Sequence, residues 1–270
     1  MRLHAGFEIA FDIPRSVPML LMLSVHPERE ADLLTPTPIR FEPALPSTTY
    51  RDWFDNVCTR IVAPPGRLVI SSVFDVRDTG QADPADPAAL EHRVEDLPNE
   101  MLMFLLGSRY CETDKLTDTA WSLFGRFAPG FARVQAICDF VHKHIKFDYM
   151  QASSTRGAWD AFQDGVGVCR DYAHLAVAFT RCMNIPARYC TGYLGDVGTP
   201  PPYPPGDFSA WFEVYIGGRW TTFDARFNVP RIGRILMARG RDATDVAITT
   251  SFGSAPLAGF TVVTDEVVES

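Results

Sequence analysis

No basic stripe runs through this 270-residue sequence: 25 Lys and Arg stand against 33 Asp and Glu, giving a formal charge of −8. That balance excludes the electrostatic footprint of a nucleic-acid partner. An acidic surface disfavours anionic partners but does not choose a fold. Long apolar runs are also missing, since none approaches the roughly 18 residues of a membrane span. The nearest, "VPMLLMLSV" at 17–25, has no basic leader and is followed by "HPERE" instead of a small-residue cleavage site. It is expected to be a buried strand in a cytoplasmic protein with no membrane partner. Cysteine is sparse and scattered (Cys58, Cys111, Cys138, Cys169, Cys182, Cys190), with no CxxC. This argues against a disulfide scaffold and against a structural zinc site. Most of these thiols are expected to pack as small hydrophobes. Only His142 and His144 sit close together, at the end of a helical stretch, where two solvated histidines are expected and no metal. No internal repeat is present, no cofactor is implied, and no histidine follows His174.

What is present is an ordinary globular composition, 46% hydrophobic and 21% charged, long enough for one large domain or two modest ones. Residues 1–95 read as a β-rich domain. "LHAGFEIAFDI" alternates, and "YRDWFDNVCTRIV" and "GRLVISSVFDV" follow with Pro and Gly between them. The polar, proline-broken "DTGQADPADPAALE" is expected to be a linker to a second unit, 96–270. There "NEMLMFLLGSRY" and "LTDTAWSLFGRF" read as short helices. In "FARVQAICDFVHKHI", Val134, Ile137, Cys138, Val141 and Ile145 share one helical face. "STRGAWDAFQDG" predicts a short helix capped by Ser154 or Thr155 and ended by Gly165. After Pro186, "ARYCTGYLGD" predicts a strand, and "TPPPYPPGD" a stiff connector. The tail supplies two more strands, "DVAITTSFG" and "AGFTVVTDEVV".

Chemistry concentrates at "GVGVCRDYAHLAVAF", 165–179. Cys169 opens a helix that is apolar nearly all round, as a helix in the middle of a domain must be. A helix N-terminus favours negative charge and so predicts a lowered thiol pKa. Gly165 and Gly167 would let backbone N–H groups approach a substrate carbonyl. Downstream, "SAWFEVYIGGRWTTFDAR" predicts a hairpin about Gly217–Gly218. In that register Asp224 lies opposite Trp211, and position 209 is its diagonal neighbour on the same face. A base at 209, oriented by Asp224, would complete the relay that a thiol nucleophile uses.

The motifs "GVGVCRDYAH", "AWFEVYIGGRW" and "FDAR" resemble the transglutaminase-like superfamily, and more narrowly its bacterial members described as cysteine proteases. "LPNEMLMFLLGSRYC", "STRGAWDAF", "PARYCTGY" and "RIGRILMARGRDATDVAITTSFG" also fit, so the resemblance covers nearly the whole chain. It implies an α+β fold: a papain-like core with the nucleophile helix on an antiparallel sheet, behind an N-terminal antiparallel β domain. It further implies Cys169 as nucleophile, Asp224 as triad acid, and a peptide or protein substrate attacked through a thioester. Hydrolysis is favoured over cross-linking, because nothing resembles the calcium sites or extra domains of the cross-linking enzymes.

One position departs from the pattern. Relatives read His-Ala-Trp where this chain reads Ser209-Ala210-Trp211, and a serine hydroxyl is no base near neutral pH. His174 lies five residues along the helix from Cys169 and so faces away. Three readings stay open: a binding protein descended from enzymes, slow thiol chemistry without a base, or a serine introduced to disable a complete enzyme. Arg170, Asp171, Tyr172 and Trp211 are candidates to line a substrate groove, although Asp171 is equally suited to stabilise its own helix start. Trp159, Trp211 and Trp220 suit a core as well as a cleft wall, and Asp242 and Asp245 suit a solvated loop. Oligomeric state is not legible.

Overall fold

Alternation makes the first third of the chain β. Leu3, Ala5, Phe7, Ile9, Phe11 and Ile13 occupy every second position of β1 (Arg2–Ile13), and all are buried, so the strand offers one continuous apolar face. The run at 17–25 is a buried strand, β2 (Val17–Leu21), followed by β3 (Arg40–Glu42), β4 (Ser47–Arg51), β5 (Val57–Ala63) and β6 (Gly66–Arg77). The computed structural model describes residues 1–201, 203 and 205–268. The proline-rich connector therefore lies partly outside the described residues. Among the described residues, no helix is long and apolar enough to cross a membrane.

The α-helical stretch follows: α1 (Thr113–Phe124), α2 (Phe131–His144), the short strand β7 (Lys146–Phe147), α3 (Ala158–Asp164), β8 (Val166–Gly167) and α4 (Cys169–Cys182). "NEMLMFL" forms a 3-10 turn, Asn99–Leu105. Gly157, not Ser154 or Thr155, takes the cap position of α3. The reason is tertiary: the Ser153 and Ser154 carbonyls accept from Arg170, and the Trp159 N–H donates to the Glu112 carboxylate at 3.3 Å. His144 is packed between Phe140 and Phe162, against the expectation of a solvated ring. His142 is exposed, as its position suggests, with Nδ1 2.9 Å from the Arg226 carbonyl.

Four strands then build the central sheet: β9 (Ala187–Leu194), β10 (Phe208–Ile216), β11 (Arg219–Phe223) and β12 (Arg234–Gly240), in the order β11-β10-β9-β12. Gly217 and Gly218, at φ 60° and 77°, supply the left-handed turn that a two-residue hairpin requires. The pairs Ile216↔Arg219 and Phe212↔Phe223 give the register read from the sequence. Helix α4 lies against this sheet, with Leu175, Val177 and Phe179 in one core with Phe212, Val214 and Ile216, while α1, α2 and α3 cover it from the other side.

The chain ends with β13 (Thr249–Ser251) and β14 (Leu257–Glu266). Both are strands, and both pair with strands of the N-terminal part of the chain. β14 pairs with β1 in the sheet β14-β1-β6-β3, and β13 pairs with β2 in β13-β2-β5-β4. Without them β1 and β2 would expose unpaired backbone edges. Tyr193, Phe208, Ile235 and Met237 of the central sheet also join the N-terminal core. The division at 95/96 is thus crossed by both the chain and the packing.

The expected linker is pinned across the far face of the central sheet. Asp83 Oδ2 accepts from Arg234 Nε (2.8 Å) and from the Arg231 N–H (2.9 Å). Arg234 Nη2 reaches Asp224 Oδ2 at 2.9 Å, so one buried guanidinium joins the linker to the end of the hairpin. Arg234→Ala would leave two carboxylates without their cation. Breaking a buried pair in this way costs about 3–5 kcal/mol, a loss that urea denaturation will register. A loss below about 1 kcal/mol, the range of exposed pairs, would show that the bridge does not hold the linker.

Candidate active site

Cys169 is the first residue of α4 and is half-buried, whereas the other five cysteines are buried and all six are free. It packs against the small apolar cluster of Ala173, Tyr189, Ala210, Ala238 and Val246, and the main-chain N–H groups of Arg170 and Ala210 favour its ionised form. The electrostatics reverse the expectation of a lowered pKa. Burial pushes the thiol up to about 11, against the opposing pull of Arg226 and the two N–H groups, with Asp207 adding to the rise. Desolvation disfavours the thiolate more strongly than a helix end favours it. At neutral pH the thiol is therefore held in its protonated form.

The glycines before Cys169 have a different use from the expected approach to substrate. Asp171 is fully buried and its Oδ2 accepts the Val168 N–H at 2.8 Å, capping α4, with Arg156 3.6 Å away. A Cβ on Gly167 would lie 2.5 Å from that oxygen. Gly167 thus makes room for the cap, and Asp171 lines no groove. Tyr172 is likewise a core residue, its hydroxyl donating to the Ile145 carbonyl at 2.5 Å. Trp211 is buried with Cys190 and Leu236, and the Arg234 guanidinium lies 4.9 Å from its ring centre. Of the four candidates, Arg170 lines a groove of about 330 Å³ beside α4, and Trp211 lines a separate cavity of about 360 Å³ on the far face of the sheet with Glu213, Arg231 and Arg234.

Side chains of β10 alternate, with Ala210, Phe212 and Val214 on the α4 side and Trp211 on the other. By that alternation Ser209 shares the face of Trp211. It is buried, paired with Gly192, and its hydroxyl has no hydrogen-bond partner. Extending the hairpin by one pair sets Asp224 opposite Trp211. Asp224 Oδ1 accepts the N–H groups of Arg226 (3.0 Å) and Phe227 (3.2 Å), while Oδ2 is held by Arg234. Cys169 thus meets β10 at Ala210 on the α4 face, whereas Ser209 and Asp224 lie on the other face with Trp211, and no hydrogen bond joins Ser209 to Cys169 or Asp224. A carboxylate has about four acceptor directions, and three are taken.

His174 is fully buried between Tyr110 and Tyr189, and its Nε2 accepts the Ala243 N–H at 3.1 Å. Burial depresses it to about 3, so it is a neutral ring without access to a proton. Asp242 is buried too, accepting from the Tyr110 and Thr244 N–H groups; the solvated loop expected there is a wall of the core. Asp245 pairs with Arg241.

Sequence reasoning missed Arg226, whose guanidinium stacks 4.0 Å from the Phe147 ring centre and acts on the Cys169 thiol. It lies inside the "FDAR" motif, two residues past Asp224, which was its only signal. Asp207 was missed as well, and burial raises its pKa.

Residues 122–225 match the transglutaminase-like superfamily. The whole fold matches the crystal structure of a "putative cysteine protease" from Cytophaga hutchinsonii, with a TM-score of 0.84 and 28% identity over 100% of this chain and 92% of that one. An uncharacterised Mycobacterium leprae protein is 36% identical over 110 residues, and the match spans 38% of this chain and 38% of that relative's length. The periplasmic domain of TgpA from Pseudomonas aeruginosa, bound to ethylmercury, aligns with a TM-score of 0.40 and 17% identity over 83% of this chain and 90% of the other.

Exposure separates Cys169 from the remaining thiols even though its pKa is high: the other five are buried, and burial pushes Cys111 up to about 12 and raises Cys58, Cys138, Cys182 and Cys190 as well. A short iodoacetamide pulse on the folded protein, read by mass spectrometry, will modify Cys169 first. Labelling of any buried cysteine at the same rate would contradict this account of the site.

Proposed function

We propose that Cys169 is the nucleophile of thiol acyl chemistry on peptide or amide bonds, proceeding through a thioester and ending in hydrolysis. The observation that carries this reading is a partly exposed cysteine at the start of a buried helix, whose thiol the main-chain N–H groups of Arg170 and Ala210 favour in its ionised form. Those N–H groups are the kind of donor that stabilises a developing oxyanion. Attack would form the sulfur–carbon bond and release the amine, and water would then split the thioester. The match to the Cytophaga hutchinsonii protein supports the assignment. Five buried, unpaired cysteines are in keeping with a reducing, cytoplasmic setting.

Activity is impaired as the sequence stands, because Ser209 occupies the place of the base and the thiol is held protonated. The same observation favours a second reading, a peptide-binding protein without catalysis. Asp224 retains an acceptor direction for an imidazole at 209, so Ser209→His is the decisive substitution. It is expected to raise amide turnover by about 10²–10⁴-fold, the usual contribution of a positioned acid–base group. Adding Cys169→Ala should abolish that gain. Turnover of a panel of peptide and glutamine-amide substrates by the three proteins tests this. No gain on any substrate would favour the binding reading, and high activity before substitution would contradict the missing base.

A further inference from the structure

A groove of about 330 Å³ opens beside Cys169, walled by Tyr110, Arg170 and Tyr189 on one side and by Val246, Ile248 and Thr249 on the other. It lies near the nucleophile, because Tyr189 and Val246 belong to the small apolar cluster against which Cys169 packs and Arg170 is its neighbour in the chain. Every residue lining the groove is uncharged except Arg170.

Arg170 is held in place without being neutralised. Its Nη1 donates to the Ser153 carbonyl (2.9 Å) and Nη2 to the Ser154 carbonyl (3.1 Å), and its plane lies over Tyr110, 4.2 Å from the ring centre. Nε is buried with no partner. The nearby acids Asp164 and Asp171 turn to Arg156 instead, and among the described residues none pairs with Arg170. Nε is closed off, but Nη1 and Nη2 each carry a second N–H, and a half-buried guanidinium fixed by neutral carbonyls in a groove of otherwise uncharged residues is a site for a carboxylate. The facing wall runs into β13, the edge strand of its sheet, which offers main-chain groups to an extended segment.

We propose that this groove selects peptides carrying a carboxylate, and that Arg170 sets the specificity by binding it. The proposal rests on the reading of the chain as acting on or binding peptides, and it defines which ones. The carboxylate is either an acidic side chain or a free C-terminus, two sources of the same chemistry.

The test is binding, measured calorimetrically on Cys169→Ala protein so that the result does not depend on turnover. Four short alanine peptides serve as probes: one with an internal Glu and blocked ends, the same with Gln, one with a free C-terminal carboxylate, and its amide. At least one acid-bearing probe is expected to bind about tenfold or more tighter than its neutral counterpart, the usual scale of a hydrogen bond to a charged group. Which pair shows the preference identifies the source. Arg170→Gln should erase the preference, Arg170→Lys should keep part of it, and added salt should shrink it. Thr249→Trp, on the opposite wall, should weaken all four probes and does not touch the Arg170 contacts, so it tests the groove even if Arg170→Gln unfolds. Equal binding of acidic and neutral probes, a preference that survives Arg170→Gln, or no binding of any probe would overturn the proposal. A preference seen while Ser209→His stays inert would uphold the groove and count against catalysis alone.

Discussion

Burial of α4 on every side is the constraint from which the site follows. A helix enclosed by three others and a sheet has no water for its polar groups, so each must find a partner in the protein or lose its charge. Asp171 caps the first turn. Thr180 donates back to the Ala176 carbonyl at 2.7 Å. Arg181, almost wholly buried, donates to the carbonyls of Leu106, Ala187 and Arg241 and to the Ser108 hydroxyl, which ties the end of the helix to three other segments. His174 gives up its charge instead. Cys169 sits at the one end of this helix that reaches the surface, and the same enclosure keeps its thiol protonated.

The second organising feature is the Asp83–Arg234–Asp224 bridge. It takes the carboxylate that a catalytic imidazole would use and ties it to the segment running from the β-rich part of the chain. The carboxylate is oriented by the turn at Arg226 and Phe227 whether or not a histidine stands at 209. The scaffold around the missing base is therefore held by interactions of its own, and losing the base does not collapse it. Orientation of the acid and activation of the thiol are separable in this chain: the first is present, and the second is not.

Much of this was legible in the sequence because it is local. The alternation in β1, the helix opening at Cys169 and the hairpin register through Gly217 and Gly218 each depend on residues a few positions apart. What was not legible is long-range. Nothing in "DVAITTSFG" shows that it will pair with β2, 200 and more residues earlier in the chain. Asp242 reads as part of a solvated loop because the Tyr110 N–H that it accepts, and the His174 ring that accepts the N–H of its neighbour Ala243, come from elsewhere in the chain. Asp171 and Tyr172 looked like groove residues because they follow the nucleophile, yet the helix turns both into the core. The thiol was misjudged because a helix N-terminus is visible in a sequence and burial is not.

The most direct measurement is a titration of the Cys169 thiol itself, as the difference in ultraviolet thiolate absorbance between this protein and its Cys169→Ala variant. The account predicts a single alkaline transition near the value of about 11 that burial sets, moving to lower pH when Ser209 is replaced by histidine. A thiolate already formed at neutral pH in the unaltered protein would contradict it, because that would mean a proton acceptor stands beside the sulfur after all.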